Sequence, residues 1–388
     1  MINSKPSNNF TYTLIATTLF ISTYYMLLPV LPLHMQLMGG SKFKIGLIMG
    51  LFSTSSLFFR ALAGQAADRK GPIKMMKLGV SLYFVSPLFY LIDSFLLIGL
   101  VQLIYGFTIG AFTIASASVI TVCVPREKIS QAIGLHSIAL ICAKGFAPTL
   151  GIYIYNALGL VTLIAVTLIF SIFAYFLTKQ IGNIPPTNNG KNISFAKVIS
   201  NKLVWIPSVV LMTVTLTFGA LMTMLPLFAL ERDIEHYSLF FTVNTIAVVA
   251  TRLFTGKQKN FFEEGLIAMS MVFIFIAVFL VAGSFSLPML ILAAFIYGLG
   301  YGAVYPALSS LVVLNTPSEI RGSAFGLYTA AFDVGVTLGS VWGGLSEYLG
   351  FKFIYLSSSI VPLIGLSVFL FFLHEEKKLS ALLIRKAK

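Results

Sequence analysis

The sequence predicts an all-α polytopic membrane protein with 12 transmembrane helices, arranged as two six-helix pseudo-symmetric bundles. Composition, the length of the apolar segments and an internal repeat together predict this fold. The chain has 388 residues, of which 57% are hydrophobic and only 10% are charged, whereas a soluble domain is about a quarter charged. Its two cysteines and four scattered histidines are too few for a disulfide framework or a metal site, so we expect no metal and no cofactor.

The apolar segments are long enough to cross a membrane, which requires about 20 mostly apolar residues. Twelve stretches qualify, at roughly 10–35, 45–65, 74–92, 95–120, 131–155, 158–179, 203–229, 237–256, 265–284, 287–314, 323–346 and 352–373. The one long polar connection contains Pro-Pro and Asn-Asn-Gly, which is typical of a linker. We therefore predict an N-terminal bundle (1–180), a cytoplasmic linker (181–202), a C-terminal bundle (203–374) and a basic cytoplasmic tail (375–388).

The basic residues predict the orientation in the membrane. Most of the 26 Lys and Arg fall in alternate connections between the predicted spans, together with both termini. Cytoplasmic loops carry such an excess of Lys and Arg. We therefore expect both termini in the cytoplasm and a multi-pass protein of the cell (inner) membrane. Because the positive charge is dispersed over short loops, we expect no nucleic-acid partner; we expect lipid contact and a monomer.

The two halves are related in sequence. One constant shift, the one that separates Arg60 from Arg252, aligns "RALAG" with "RLFTG". The same shift aligns "YGFTIGA", beginning at Tyr105, with "YGLGYGA", beginning at Tyr297. Two related six-helix units with a substrate site between them are the plan of a secondary transporter.

The segment "GQAADRKGPIK" after the second predicted span resembles the signature loop of the major facilitator superfamily. The resemblance covers nearly the whole chain and implies that fold. In this family the loop is a latch for the outward-open state, with an acid facing the positive N-terminus of helix 11; an ordinary basic loop that fixes topology is the alternative. The residues that carry the pattern are Gly64, Asp68, Arg69, Gly71 and Lys74.

Two further segments are similar to the drug:proton antiporter branch of that superfamily. They are "LLPVLPLHMQLMG" in the first span and a degenerate form of the antiporter motif, "AKGFAPTLG", in the fifth. The segments "FRALAGQAADRKGPIK", "IAVVATR" and "FDVGVTLG" look most like staphylopine-type metallophore exporters. The chain departs from the family at Gln102, where the pattern has an arginine implicated in proton coupling.

The resemblance implies proton-coupled export of a small organic solute, drug-like or a metallophore, by alternating access. Uptake of a nutrient or siderophore by the same fold is the alternative. A membrane-embedded lipid-modifying enzyme is a remote third, because the spans lack the cluster of acids or histidines that catalysis would need. The expected partners are a small-molecule substrate, protons and membrane lipid.

Charges inside spans are costly and are functional candidates by default. Asp333 is the only acid near the middle of a span. It either couples transport to a proton or substrate, or pairs with a cation between the halves. Lys144 either pairs with Asp333, contacts an anionic substrate, or extends along the helix to the outer interface. We predict that Lys144 supplies positive potential to a cavity that also holds Asp333.

Three further ionisable residues lie within the spans. Arg60 and Arg252 occupy equivalent places in the two repeats. Their repetition favours a structural task, holding loops or capping carbonyls at helix ends, over direct substrate contact. His136 either titrates near neutral pH or is a buried histidine with a satisfied hydrogen bond.

Tyrosines lie on the spans that line the cavity in this family. Each offers a ring face and a hydroxyl, which suits an amphiphilic ligand. The three in the tenth span are spaced four apart and share one face, so a substrate stripe and helix packing fit equally well. The candidates are Tyr24, Tyr25, Tyr105, Tyr297, Tyr301 and Tyr305.

Overall fold

The computed structural model describes residues 6–125, 128–182, 184, 202–255, 263–314, 316 and 321–386. The described residues form α-helices and one 3₁₀-helix at Ser86–Leu91. The α-helices are α1 Pro6–Leu27, α2 Val30–Leu37, α3 Lys42–Lys70, α4 Pro72–Tyr83, α5 Phe95–Val122, α6 Ile129–Gln180, α7 Lys202–Glu231, α8 Leu239–Thr255, α9 Glu263–Ala282, α10 Leu287–Leu314, α11 Arg321–Gly344 and α12 Ser346–Lys386.

These helices make a multi-pass membrane protein. Among the described residues, nine segments are long and apolar enough to cross a bilayer. One of them, Gln131–Gln180, has 50 residues, about 75 Å of helix, or more than twice the thickness of the hydrocarbon core. It divides at Gly159, where φ is +81°, a conformation that side chains other than glycine rarely adopt. The sequence correctly predicts two spans here.

The helices pack as two bundles that repeat each other. In the N half (α1–α6), α1 packs on α6 and α3 on α5. In the C half (α7–α12), the equivalent pairs are α7 with α11 and α8 with α10. The halves meet mainly along two interfaces, α3 with α11 and α6 with α8. The fold class is therefore confirmed, whereas the domain boundaries themselves stay predictions.

The structure corrects several predicted boundaries. The first span is divided, because Leu28 and Pro29 separate α1 from α2. The third span, predicted as one helix at 74–92, ends as α4 at Tyr83 and continues as the 3₁₀-helix that contains Pro87. A proline ring removes a backbone donor and crowds the preceding turn.

Two further corrections concern the segments next to polar stretches. The last span, predicted at 352–373, begins at Ser346, turns at Gly350 and continues as helix to Lys386; the predicted basic tail at 375–388 stays a prediction. The signature segment, predicted as a loop, is helical up to Lys70. The predicted linker at 181–202 lies almost entirely outside the described residues.

We call the end of the membrane bundle that contains the α3–α4 and α5–α6 connections the basic end. At the opposite end, the halves are bonded directly. Lys42, which begins α3, donates from its backbone N–H to Glu347 at 2.7 Å and from its ammonium to Glu231 at 2.6 Å. Further hydrogen bonds between the halves join Thr54 to Thr337 and Thr149 to Thr242, between this end and the level of Arg60 and Arg252. The structure is therefore closed at the opposite end.

Candidate functional site

Asp333 pairs with Arg60 across the α3–α11 interface. The guanidinium donates from Nε to Oδ2 at 3.1 Å and from Nη2 to Oδ1 at 3.3 Å. The Ser56 hydroxyl, one turn before Arg60 on α3, donates to the carboxylate at 3.3 Å. Asp333 is 3% exposed, so its charge is balanced by the opposite half. Asp333 therefore forms the cross-half ion pair that was one of its two alternatives. Its hydrogen-bonded partner is Arg60 and not Lys144.

Arg252 occupies the equivalent place on the α6–α8 interface, and there the partner is neutral. Its Nη1 donates to the Ser137 hydroxyl of α6 at 3.0 Å. The guanidinium carbon lies 5.7 Å from the centre of the Tyr305 ring. Its Nε is buried and has no hydrogen-bond partner among the described residues. Both repeated arginines therefore reach across to the other half, instead of capping helix ends as the sequence suggested.

Lys144 lines a cavity between the halves. Its ammonium lies 5.5 Å from the centre of the Tyr25 ring and forms no ion pair with a described residue. The cavity encloses about 50 Å³, enough for a few waters and far below the size of a pocket for a drug-sized ligand. Residues of four helices line it: Ile141, Lys144, Gly145, Phe218, Met222, Phe241, Asn244, Thr245, Val248 and Tyr301.

The charges inside the described spans form one electrostatic cluster with excess positive charge. Lys144 interacts with Asp333, Arg60 and Arg252. Of these cations, Arg60 and Lys144 interact with Asp333, and Arg60 takes that acid through hydrogen bonds. A buried charge without a counter-charge is costly. The cluster is consequently suited to an anion between the halves. Among the described residues, no group of three His, Cys, Asp or Glu side chains is placed to hold a metal ion.

The tyrosines of α10 divide between the cavity and the packed core. Tyr301 lines the cavity and stacks on Phe218, with ring centres 5.3 Å apart. Tyr297 is fully buried and shares a hydrogen bond with Thr217 at 3.0 Å. Tyr305 lies beside Arg252 and accepts a hydrogen bond at its backbone carbonyl from Tyr328. The stripe thus combines the two alternatives that the sequence left open.

In the N half, only Tyr25 of the three candidate tyrosines contacts the charged cluster. Tyr24 is buried and stacks on Phe52 at 4.1 Å between ring centres. Tyr105 is buried and stacks on Tyr83 at 4.7 Å. Both therefore pack inside the N half, away from the interface between the halves.

Two polar candidates also lie within the N half. His136 is 5% exposed, and its Nε2 shares a hydrogen bond with the Ser116 hydroxyl at 3.0 Å, as expected for a buried histidine with a satisfied ring nitrogen. Gln102 is fully buried and donates to the sulfur of Met49 at 3.0 Å. Neither residue lines the cavity.

The signature-loop residues lie at the basic end, away from the cavity. Arg69 is in the last turn of α3 and is exposed, as is Lys74 on α4. Gly71 separates the two helices with φ of +93°. The side chains of Gly64 and Asp68 lie outside the described residues, so the latch stays a prediction.

Sequence reasoning missed three polar residues of this site: Ser56, Ser137 and Asn244. Asn244 lines the cavity, and its amide oxygen is buried without a described partner. It is an amide in a spanning helix, two turns before Arg252, and this polarity was a usable signal. The serines carried no such signal, because an isolated serine in a span usually bonds its own helix backbone.

The comparisons with known proteins agree with this architecture. The family model described as Major Facilitator Superfamily matches residues 13–280 and 237–387. This chain belongs to that superfamily. The transporter is 25% identical, over 370 residues, to the staphylopine export protein of Staphylococcus aureus, with 90% of this chain and 92% of the relative covered. Its relatives and structural neighbours are transporters, and the chain is a transporter and not an enzyme.

Solved structures share the fold at low sequence identity. The nucleoside transporter NupG superposes with a TM-score of 0.76 at 15% identity, covering 93% of this chain and 99% of that one. A bacterial homolog of the human lysosomal transporter Spinster, in an inward-facing and unoccupied conformation, superposes with a TM-score of 0.75 at 14% identity, covering 95% and 97%.

Proposed function

We propose that this transporter exports a small organic anion, or a zwitterion with net negative charge, through the interface between its halves. One observation carries the proposal: Lys144 and Arg252 face that interface without a counter-charge among the described residues, while Arg60 already holds Asp333. An anion that binds between the halves neutralises both free cations. A cationic drug would add to their repulsion.

Aromatic and amide groups support a solute with an organic framework over an inorganic ion. Tyr25, Phe218 and Tyr301 present ring faces at or beside the cavity, which suits apolar and planar groups. The free amide oxygen of Asn244 can accept a hydrogen bond from an amine of a zwitterion. The cavity must widen to admit such a solute, as expected for one state of an alternating-access cycle.

Export is favoured over uptake by the similarity to a staphylopine export protein. With the basic end in the cytoplasm, as the positive-inside rule predicts, a transporter closed at the opposite end faces inward and is ready to load solute from the cell. Uptake by the same fold is the second candidate.

We propose that Asp333 couples transport to protons. It faces Arg60 and Ser56 on α3 and interacts with Lys144 on α6, Tyr25 on α1 and Tyr305 on α10. A proton on the carboxylate removes its charge, and the ion pair with Arg60 is lost. Because this pair joins the halves, protonation would loosen the α3–α11 interface at the same time as it alters the charge of the cavity.

The test uses reconstituted protein in liposomes with an imposed pH gradient. The external probe is staphylopine or a small-molecule extract of bacterial cells, and mass spectrometry identifies the compounds that accumulate. We expect anionic compounds to accumulate with the wild type, and at least a tenfold loss with Lys144→Met. Lys179→Met, an exposed lysine at the end of α6 beyond the break at Gly159, is the control. Accumulation of cations alone would overturn the proposal.

Proton coupling is tested separately with the compound so identified. A pH-sensitive dye inside the liposomes should report solute-dependent proton movement in the wild type and none with Asp333→Asn. If Asp333→Asn moves protons like the wild type, Asp333 is a structural partner of Arg60 and coupling lies elsewhere. Anion transport itself would still stand.

A further inference from the structure

The cavity and Arg252 belong to one groove between α6 and α8. On α6, Ser137, Ile141 and Lys144 follow each other at a spacing of about one helical turn and share a face. On α8, Val248 lines the cavity and Arg252 follows one turn later. The groove therefore runs from Lys144 towards the basic end, where Arg252 bonds Ser137.

The two cations of this groove offer different binding chemistry. Lys144 presents a compact ammonium next to the Tyr25 ring. Arg252 presents a planar fork, of which Nη1 contacts a neutral hydroxyl and Nε is buried without a described partner. An unmade hydrogen bond of a buried donor is costly, and a carboxylate can accept two parallel bonds from such a fork. The unpaired N–H donor of Arg252 is thus suited to bind an oxyanion.

The two cations are anchored at different levels of the groove, so two acidic groups match them better than one. Ser137 and Lys144 are two helical turns apart, an axial distance of about 10 Å. A monocarboxylate bound at Lys144 would leave the buried Nε of Arg252 without a hydrogen-bond acceptor. Asp333 does not complete either place, because its described hydrogen bonds come from Ser56 and from Nε and Nη2 of Arg60.

We infer that the transported solute carries two acidic groups separated by several bonds, one bound by Lys144 and the other by Arg252 with Ser137. This inference rests on the proposed anion transport and deepens it. The residues that determine specificity are then Lys144 and Arg252, on opposite halves. A diacid that spans them connects the N half to the C half, so its length is selected by the closeness of α6 and α8.

The test measures binding of α,ω-dicarboxylates from succinate to suberate, each compared with its own monomethyl ester. The purified full-length protein in detergent is titrated at low salt, and the apparent Kd is taken from thermal shift and from calorimetry. We expect one chain length to bind at least tenfold more tightly than its ester. The esters keep length and apolar area and remove one charge, so the ratio reports the second acidic group alone.

Variants assign the two places. Arg252→Gln should reduce the diacid-to-ester ratio to about one, because the second acidic group then has no cation to bind. Lys144→Gln should also reduce the ratio to about one while weakening ester binding. Arg252→Lys keeps the positive charge and is the control for misfolding. It should retain part of the diacid-to-ester ratio. Lys179→Gln should keep the full ratio.

Equal binding of diacid and ester by the wild type, or no binding of any diacid, overturns the two-point site. A full ratio in Arg252→Gln overturns the assignment to Arg252. Neither result touches anion transport, which the liposome assay with cell extract judges independently: enrichment of monoanions there would leave the proposed function standing without the diacid. If that assay also shows no anion, both proposals fail.

Discussion

The α3–α11 and α6–α8 interfaces are copies of one arrangement in which two charged positions differ. In each, an arginine at the same place in the repeat crosses to the other half. Arg60 meets the carboxylate of Asp333, whereas Arg252 meets the hydroxyl of Ser137. The repeat equivalent of Asp333 is Ile141, which lines the cavity. Because this position in α6 has no acid, Arg252 and Lys144 have no counter-charge among the described residues of α6–α8.

This difference teaches how a duplicated fold acquires an asymmetric site. The duplicated parts, the arginines and the helix pairs around them, hold the halves together in both copies. The parts that are not duplicated, Asp333 and Lys144, decide which interface is neutral and which is positive. We therefore expect α3–α11 to respond to mutation mainly in stability, and α6–α8 mainly in solute binding.

The largest effect is expected from breaking the ion pair of α3–α11. Asp333→Asn leaves Arg60, whose side chain is 28% exposed, between the halves without its counter-charge, which costs up to about 3 kcal/mol. Thermal unfolding in detergent measures the loss. The double variant Asp333→Asn with Arg60→Gln should recover part of it, because neither charge is then uncompensated. A double variant that loses the sum of the two single losses would show that the pair contributes no coupling.

The next effect is expected from filling the close approach of α6 and α8. A Cβ on Gly145 would lie within bonding distance of the Thr245 side chain, so Gly145→Ala must push the two helices apart. Overpacking of this kind costs about 2 kcal/mol, and it should reduce transport more than tenfold because it widens the groove that Lys144 lines.

The matched control lies on the other interface. A Cβ on Gly50, in α3, meets its nearest atom at 3.6 Å, an ordinary contact, so Gly50→Ala should keep both stability and transport. Thr245→Ala added to Gly145→Ala should restore part of the activity. If Gly145→Ala transports like the wild type, the closeness of α6 and α8 does not set the site.

A third prediction converts one interface into the other. Ser137→Asp gives Arg252 the acid that Arg60 already has, so α6–α8 should become neutral like α3–α11. We expect at least a tenfold loss of anion accumulation in liposomes with an unchanged or raised unfolding temperature. Ser137→Asn, with similar size and no charge, should keep most of the transport. Equal losses in both variants would mean that shape at residue 137, and not charge, is what matters.

The sequence predicted the fold well because its determinants are long and redundant. Twenty apolar residues identify a span wherever it packs, and the repeat relates the spans of one half to those of the other. The helix breaks were not predictable from proline. Pro29 and Pro87 lie at breaks, whereas Pro148 and Pro306 lie within continuous helices, since neighbouring helices can satisfy the backbone groups that a proline frees.

The site was predictable in its charges and not in its pairings. Charges in spans are rare enough to be found by inspection, so Asp333, Lys144 and both arginines were identified. Which cation meets Asp333 depends on the rotation of α3 against α11, and these helices are far apart in the chain. The sequence placed Asp333 and Lys144 in one cavity. In the structure Lys144 lines the cavity, whereas Asp333 is not among its lining residues and bonds Arg60.

The smallest effect is expected at the opposite end of the bundle, where Lys42 of the N half bonds two acids of the C half. Lys42 bonds Glu231 through its side chain and Glu347 through its backbone, and the Glu231 side chain is 56% exposed. Exposed ion pairs contribute about 0.2–1 kcal/mol and are screened by salt. Glu231→Gln should therefore shift the population only slightly towards opening at this end. Faster thiol labelling of Gly50→Cys, whose Cβ would make an ordinary contact with Thr337 of α11, measures the shift. The shift should vanish in high salt, because salt already weakens the wild-type pair. If Glu231→Gln lowered the unfolding temperature as much as Asp333→Asn does, the Lys42–Glu231 pair, and not the Arg60–Asp333 pair, would hold the halves together.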